Sequence, residues 1–312
     1  MIDPANGLER ISRALRPRTL LLLTPLLLLL VAACASGSDD PIISDAQEAG
    51  GPEYSGIVIT TDMAVGHNRL KFGIINREGM PIPSESAEVS VNLLVPGEDT
   101  RVPKDTATAR FIDWPTSVGG VFVAEVELDT AGAYQMDINT TTKDGAAVFA
   151  QASFQVQEES KTPAIGSPAP ASVTLTAAKA EDITHITSSL EPDVDLYEFS
   201  IDEALQQDKP LVIVFATPAF CVSATCGPQV GELTKVKESL GARANYIHVE
   251  VFQDPHLIEA QRPTGGLVPA VSEWGLPTEP WTFIVDSKGL VRAKFEQFTT
   301  AEEIERTLLE IL

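Results

Sequence analysis

The chain has 312 residues and a formal net charge of −22 at pH 7, from 44 acidic side chains against 22 lysines and arginines. So acidic a surface repels phosphate backbones and anionic lipid headgroups, which excludes nucleic acid and a charged membrane patch as expected partners. The length predicts two domains after an N-terminal processing signal. The chain has three cysteines, and their positions carry most of the functional interpretation.

The first 33 residues have the composition of a secretory signal. Several arginines precede the apolar run Leu20–Val31, which is shorter than the roughly 20 residues that a membrane span needs. The run ends in Val31-Ala32-Ala33-Cys34, which resembles a bacterial lipobox. The resemblance implies a lipid on Cys34 and a location on the extracytoplasmic face of the cell membrane. An ordinary signal peptide followed by a chance cysteine is the alternative.

Residues 34–52 and 53–157 differ sharply in composition. The first segment is rich in Ser, Gly and Asp and predicts a flexible spacer. The second alternates apolar and polar residues in short runs separated by turn residues, which is typical of an immunoglobulin-like β-sandwich. The predicted strands are Gly56–Thr60, Leu70–Ile75, Glu88–Leu94, Ala107–Ile112, Val121–Leu128, Ala133–Thr140 and Ala147–Val156.

A proline-rich linker is predicted for residues 158–172, semi-stiff because of its prolines. It leads into an α/β domain over residues 173–312, with its core at residues 196–312. There, apolar runs of strand length alternate with helical spacing, which predicts a sheet covered on both faces. The predicted elements are a strand at Leu196–Ser200, a helix at Ile201–Gln207, strands at Leu211–Phe215 and Asn245–Phe252, short helices at Pro255–Gln261 and Val268–Trp274, a hairpin of Trp281–Asp286 with Val291–Phe295, and a last helix that starts with a capping box at Thr300.

Two cysteines lie where a buried strand is followed by a helix. Cys221 and Cys226 follow Leu211–Phe215, and helical spacing begins after Gly227-Pro228. Backbone N–H groups and the helix dipole at such a position stabilise a thiolate. Outside the cytoplasm, two cysteines so close in sequence are expected to form a disulfide. Because a helix places residues i and i+5 on different faces, this bond requires a non-helical loop.

Residues 196–312 resemble the thioredoxin superfamily, especially the membrane-tethered thioredoxin-like proteins of bacterial envelopes. The resemblance rests on the buried strand, the loop from Phe215 to Cys221 and the segment Glu279–Asp286. It implies a cis-proline at Pro280 that faces the cysteines and guides an extended partner strand. The chain departs from the family in its Cys-x4-Cys spacing and in Val214, which stands where the first core strand often carries a buried acid.

Fold and cysteines together predict a thiol–disulfide oxidoreductase that acts on thiols or disulfides of envelope proteins, with no cofactor. Cys221 would attack and Cys226 would resolve the mixed disulfide, while Phe220 and Trp281 would form an apolar rim. The segment Cys226-Gly227-Pro228-Gln229 also looks like a redox motif that lacks its second cysteine. The identity of the attacking sulfur is therefore open.

Three other interpretations are compatible with the same residues. The first is a non-enzymatic lipoprotein with a structural disulfide. The second is a Sco-like copper-binding protein, in which His256 would be the best third ligand, ahead of His185 and His248. The third is a peroxiredoxin, although Val214 and Pro218 stand where that motif needs Pro and Thr.

Overall fold

The computed structural model describes residues 52–115, 119–258 and 265–312. These residues belong to one compact unit, which contains an antiparallel sheet of seven strands and a mixed sheet of four. The predicted signal, the lipobox with Cys34 and almost all of the predicted spacer lie outside the described residues. None of the described helices has the length and apolar character that a bilayer crossing requires.

The first sheet has the strand order β1-β2-β5-β4-β3-β6-β7. Each predicted strand overlaps an observed one, and in β3, β6 and β7 buried residues alternate with more exposed ones. β4 starts earlier than predicted, since its polar first half pairs with β3 at an exposed position. The strands are β1 (Tyr54–Val58), β2 (Gly66–Asn76), β3 (Ser86–Leu94), β4 (Arg101–Asp113), β5 (Gly120–Leu128), β6 (Gly132–Thr141) and β7 (Ala147–Val156).

The edge strands of this sheet approach each other around an apolar core. Leu70, Phe72 and Tyr134 are completely buried in it. β1 passes so close to β7 that a Cβ atom added at Gly56 would stand 3.2 Å from the carbonyl oxygen of Gln151. The all-β character of this half is therefore confirmed, and its immunoglobulin-like assignment stays a prediction.

The second sheet has the strand order β11-β10-β8-β9. β8 and β9 are parallel, while β10 is antiparallel to both β8 and β11. Alternate residues of β8 face two different apolar clusters, one on each side of the sheet, so both faces are covered as predicted. The strands are β8 (Leu211–Ala216), β9 (Asn245–Glu250), β10 (Trp281–Val285) and β11 (Val291–Glu296).

Four α-helices and several 3-10 turns complete the described part of this half. The strand predicted at Leu196–Ser200 is wrong, because Val194–Tyr197 forms a 3-10 turn in which the Asp193 side chain accepts the N–H of Asp195. The helix predicted at Pro255–Gln261 is reduced to a 3-10 turn at Pro255–Leu257, with the end of the prediction outside the described residues. The helices are α1 (Ile201–Ala204), α2 (Cys226–Leu240), α3 (Pro269–Glu273) and α4 (Ala301–Leu309).

The segment predicted as a linker is bonded along much of its length. The N–H of Gly166 donates to the carbonyl of Val291 at 2.7 Å, and the N–H of Val291 donates to the carbonyl of Ser167 at 2.9 Å. Closer to the first sheet, Asp62 accepts the N–H groups of Lys161 and Thr162 at 2.9 and 3.1 Å. The segment is thus fixed to both halves.

Strand β2 makes polar contacts with the C-terminal strand and helix. Lys71 is buried, and its Nζ donates to the carbonyls of Glu296 and Phe298 at 2.7 and 2.8 Å. Arg69 and Arg110 both donate to the buried carboxylate of Glu303, at 2.7 and 2.6 Å. Burial alone would raise the pKa of Glu303, but the two guanidinium groups lower it. The two halves are therefore joined by a buried ionic network.

His248 in β9 is held neutral inside the core. Its Nε2 lies 3.1 Å from the carbonyl of Ala216, and its Nδ1 lies 2.6 Å from the hydroxyl of Tyr197. Since a carbonyl can only accept, Nε2 carries the proton and Nδ1 accepts the hydroxyl. Burial lowers the pKa of His248 to about 4.

We expect His248 to make the fold less stable as the pH falls from 6.5 to 4. The unfolded side chain binds a proton near pH 6.5, whereas the folded one does so only near its lowered pKa. The unfolded state is therefore favoured across this window, by about 3 kcal/mol in total. Urea unfolding of the wild type and of His248→Gln should give free energies whose difference changes with pH in this range. A constant difference from pH 7 to 4 would contradict the assignment.

Candidate functional site

The two cysteines lie in and directly after the loop that joins β8 to α2. Cys221 and Cys226 are bonded to each other, with Cα atoms 5.8 Å apart. The loop is not helical, since Ala224 has a φ of 56° and its N–H donates to the carbonyl of Cys221 at 3.2 Å. This confirms that the bond forms across a non-helical loop. α2 begins at Cys226, earlier than predicted, because Pro228 fits within its first turn.

The two sulfur atoms have different surroundings. Cys226 is completely buried, whereas Cys221 is half-buried. The Sγ of Cys221 accepts the N–H of Cys226 at 3.3 Å and lies 3.3 Å from the hydroxyl of Ser223. Together with the positive end of the α2 dipole, these donors stabilise negative charge on Cys221 when the pair is reduced. Cys221 is thus the accessible sulfur and Cys226 the sheltered one.

The peptide bond between Glu279 and Pro280 is cis, as the resemblance implied. Pro280 itself is buried, and its carbonyl accepts the N–H of Gln297 at 2.8 Å. The side chain of Gln297 also donates to the carbonyl of Glu279 at 2.9 Å. The expected guidance of a partner strand by Pro280 stays a prediction, and Glu279 is the more accessible residue of the two.

Glu279 is a site residue that the sequence analysis missed. One of its carboxylate oxygens and the sulfurs of Cys221 and Cys226 all lie within 4.8 Å of one another. In the described part of the chain, this carboxylate has no hydrogen-bond or ion-pair partner, and burial raises its pKa. Its position directly before Pro280 was the available signal, since the resemblance already placed that proline opposite the cysteines.

Trp281, which the sequence analysis assigned to an apolar rim, is a buried residue in the structure. Trp281 is only 2% exposed, its indole N–H donates to the Thr278 hydroxyl at 3.1 Å, and its ring stacks on Phe283. As the first residue of β10, it shares an inward face with Phe283 because side chains two apart point the same way.

Apolar surface beside Cys221 comes from the loop itself. Phe220, the other predicted rim residue, precedes Cys221 and is half-buried. Val222 follows Cys221 and is 97% exposed, although the sequence analysis did not single it out. A partner that reaches Cys221 would therefore meet these two loop side chains.

A buried carboxylate supports the loop that leads to Cys221. Glu250, at the end of β9, accepts the N–H and the hydroxyl of Ser188 at 2.9 and 2.6 Å. The Ser188 hydroxyl in turn accepts the N–H of Ala219 at 3.1 Å, and burial raises the pKa of Glu250. No sequence pattern predicted this bridge, because Ser188 lies in a segment without regular structure.

The histidines do not form a group of possible metal ligands with the two cysteines. The rings of His185 and His256 stack on each other with centroids 3.8 Å apart. Across the described ranges, only Cys221, Cys226 and Glu279 form a group of three side chains that could share a metal ion. The prediction of His256 as a third ligand beside the cysteines is therefore wrong.

No family model and no curated protein matches the chain. Among solved structures, the chain is similar to a thiol:disulfide interchange protein of the thioredoxin family from Chlorobium tepidum TLS, with 16% identity over 47% of this chain and 97% of that chain and a TM-score of 0.32. A DsbF homologue from Corynebacterium diphtheriae has 17% identity over 36% of this chain and 76% of its own, with a TM-score of 0.29. Chloroplastic thioredoxin z has 17% identity over 35% of this chain and 82% of its own, with a TM-score of 0.28.

The arrangement of the C-terminal half defines its fold independently of these likenesses. Its sheet has the order β11-β10-β8-β9, with β8 and β9 parallel and β10 and β11 antiparallel. A cis-proline precedes β10, and the bonded cysteines lie where β8 passes into α2. The C-terminal half of this chain is therefore thioredoxin-like.

Proposed function

We propose that the protein is an extracytoplasmic thiol–disulfide oxidoreductase that exchanges its Cys221–Cys226 pair with thiols or disulfides of envelope proteins. The observation that carries the proposal is the asymmetry of the pair, in which Cys221 is half-buried and Cys226 is completely buried. The location and the lipid on Cys34 rest on the lipobox resemblance alone.

The exchange needs two displacement steps, the first at a sulfur of the partner and the second at the sulfur of Cys221. In the reduced protein, the thiolate of Cys221 attacks one sulfur of a partner disulfide, and the other partner sulfur leaves as a thiolate. Cys226 loses its proton and attacks Cys221, which forms the internal disulfide and releases the second partner sulfur as a thiolate. Two electrons have then passed to the partner, and the same steps in reverse would oxidise a partner dithiol.

A purely structural role for the disulfide is the competing interpretation. Closing so short a loop stabilises a fold by only about 2 kcal/mol on the chain-entropy model. The half-buried position of Cys221, next to the exposed side chain of Val222, favours contact with another protein over a purely internal role.

Turnover of a disulfide substrate tests the proposal. With the full chain, a small disulfide substrate and a reductant, we expect catalysis that Cys221→Ser reduces to the uncatalysed rate, because the attacking thiolate is gone. Glu238→Gln, at an exposed position of α2, is the matched control and should keep the wild-type rate. Equal rates for wild type and Cys221→Ser would leave the disulfide with a structural role only.

A further inference from the structure

Glu279 places a carboxylate beside the two sulfur atoms. The loop that carries it is fixed by Gln297, which bonds to the carbonyls of both Glu279 and Pro280. The carboxylate and both sulfurs lie within 4.8 Å of one another, and the side chain is half-buried. Among the residues that the structure describes, this carboxylate has no hydrogen-bond or ion-pair partner.

Reduction of the disulfide concentrates negative charge at this point. Each sulfur can then become a thiolate beside the Glu279 carboxylate, in a space partly closed to water. Among the described residues, no lysine or arginine forms an ion pair with the Glu279 carboxylate. A bound cation would compensate both sulfurs and the carboxylate together.

The donor set favours one class of cation. Two thiolates with one carboxylate oxygen suit Zn²⁺, which binds sulfur and oxygen ligands tetrahedrally and can leave a fourth position for water. Hard cations such as Ca²⁺ and Mg²⁺ avoid sulfur, and Cu(I) would use the thiolates without the carboxylate. Zn–S bonds of about 2.3 Å require the two sulfurs to stand roughly 3.8 Å apart, a separation that becomes available only when the disulfide is broken.

We propose that the reduced protein binds one Zn²⁺ ion through Cys221, Cys226 and Glu279, and that oxidation of the cysteine pair releases it. When a disulfide compound oxidises the zinc form, the two thiolates give up two electrons and form the Cys221–Cys226 bond. The compound becomes two thiolates, and Zn²⁺ leaves with its charge unchanged. Zinc would thereby mask Cys221 from other reagents. This site depends only on the three side chains and does not require the exchange activity.

Competition against a chromophoric zinc chelator tests the site on the full chain, kept reduced with a phosphine that does not compete for zinc. We expect one Zn²⁺ per reduced chain and none per oxidised chain. Glu279→Gln should weaken binding by at least about tenfold, since even the loss of an outer partner of a zinc ligand costs 10- to 100-fold. Cobalt(II) added to the reduced protein should give a sulfur-to-metal absorption band that Cys221→Ser and Cys226→Ser each diminish.

Glu238→Gln removes an acid from α2 at an exposed position and should bind zinc like the wild type. Bound zinc should also slow alkylation of Cys221. The alkylation rate therefore measures the protection of Cys221 by zinc without any measurement of turnover. Equal zinc affinities for Glu279→Gln and Glu238→Gln would overturn the three-ligand site, because the cysteines alone would then explain binding. Equal binding by the oxidised and reduced chains would overturn it as well.

Discussion

Replacing Cys226 with serine should convert a transient mixed disulfide into a stable one. Cys221 keeps its access to a partner, but the sheltered sulfur that would displace the partner is gone. After the reduced Cys226→Ser protein is mixed with a disulfide-containing protein, we expect non-reducing electrophoresis to show a covalent adduct on nearly every chain. The wild type should show only a trace, because its second step is intramolecular.

Single and double variants distinguish the roles of the two sulfurs. The double variant Cys221→Ser/Cys226→Ser should capture nothing, which controls for capture through any other group. Capture by Cys221→Ser in place of Cys226→Ser would reverse the assignment and make Cys226 the attacking residue. That outcome would agree with the alternative register that begins at Cys226-Gly227-Pro228-Gln229.

Glu303→Gln should lower the free energy of unfolding by about 3 kcal/mol, because removal of one partner leaves a buried network without its counter-charge. The Glu303 side chain is 5% exposed and that of Arg69 is 10% exposed, whereas that of Arg110 is 46% exposed. The expected loss of unfolding free energy is therefore near the lower end of the range for breaking a buried ion pair. Urea unfolding at pH 7 measures it.

A surface acid directly after helix α4 provides the control for this prediction. Glu310→Gln changes an exposed side chain and should alter the free energy of unfolding by less than about 0.5 kcal/mol. In the wild type, the contribution of Glu303 should be present above its ordinary pKa of 4.5 and fade as the pH falls through the lowered folded value. A loss at pH 7 no larger than that of Glu310→Gln would show that water replaces the ion pairs.

The elements that the sequence predicted correctly depend on local pattern. The strands of the first sheet follow alternation, and the buried strand β8 follows a continuous apolar run. The cis bond before Pro280 was predicted from the family resemblance. At Leu196 the local pattern predicted the wrong element. Its apolar side chain is buried in a 3-10 turn, and a strand would have buried it equally well.

The parts of the site that the sequence analysis missed depend on contacts between distant residues. Glu279 becomes a neighbour of the cysteines only when β10 pairs with β8. Ser188 reaches Ala219 only because Glu250 holds it from a third segment. Trp281 was assigned to an apolar rim, but as the first residue of β10 it is buried and stacks on Phe283.

The position of Lys71 has a consequence for shortened versions of the chain. A fragment that begins at residue 173 would keep the carbonyls of Glu296 and Phe298 but lose the Lys71 Nζ that donates to them. It would also uncover the apolar ring of Phe298, which packs against Ile112 and Val121 of the first sheet. The C-terminal half alone would therefore expose an apolar surface and two carbonyls without their donor. Expressed by itself, it should self-associate rather than remain a monomer.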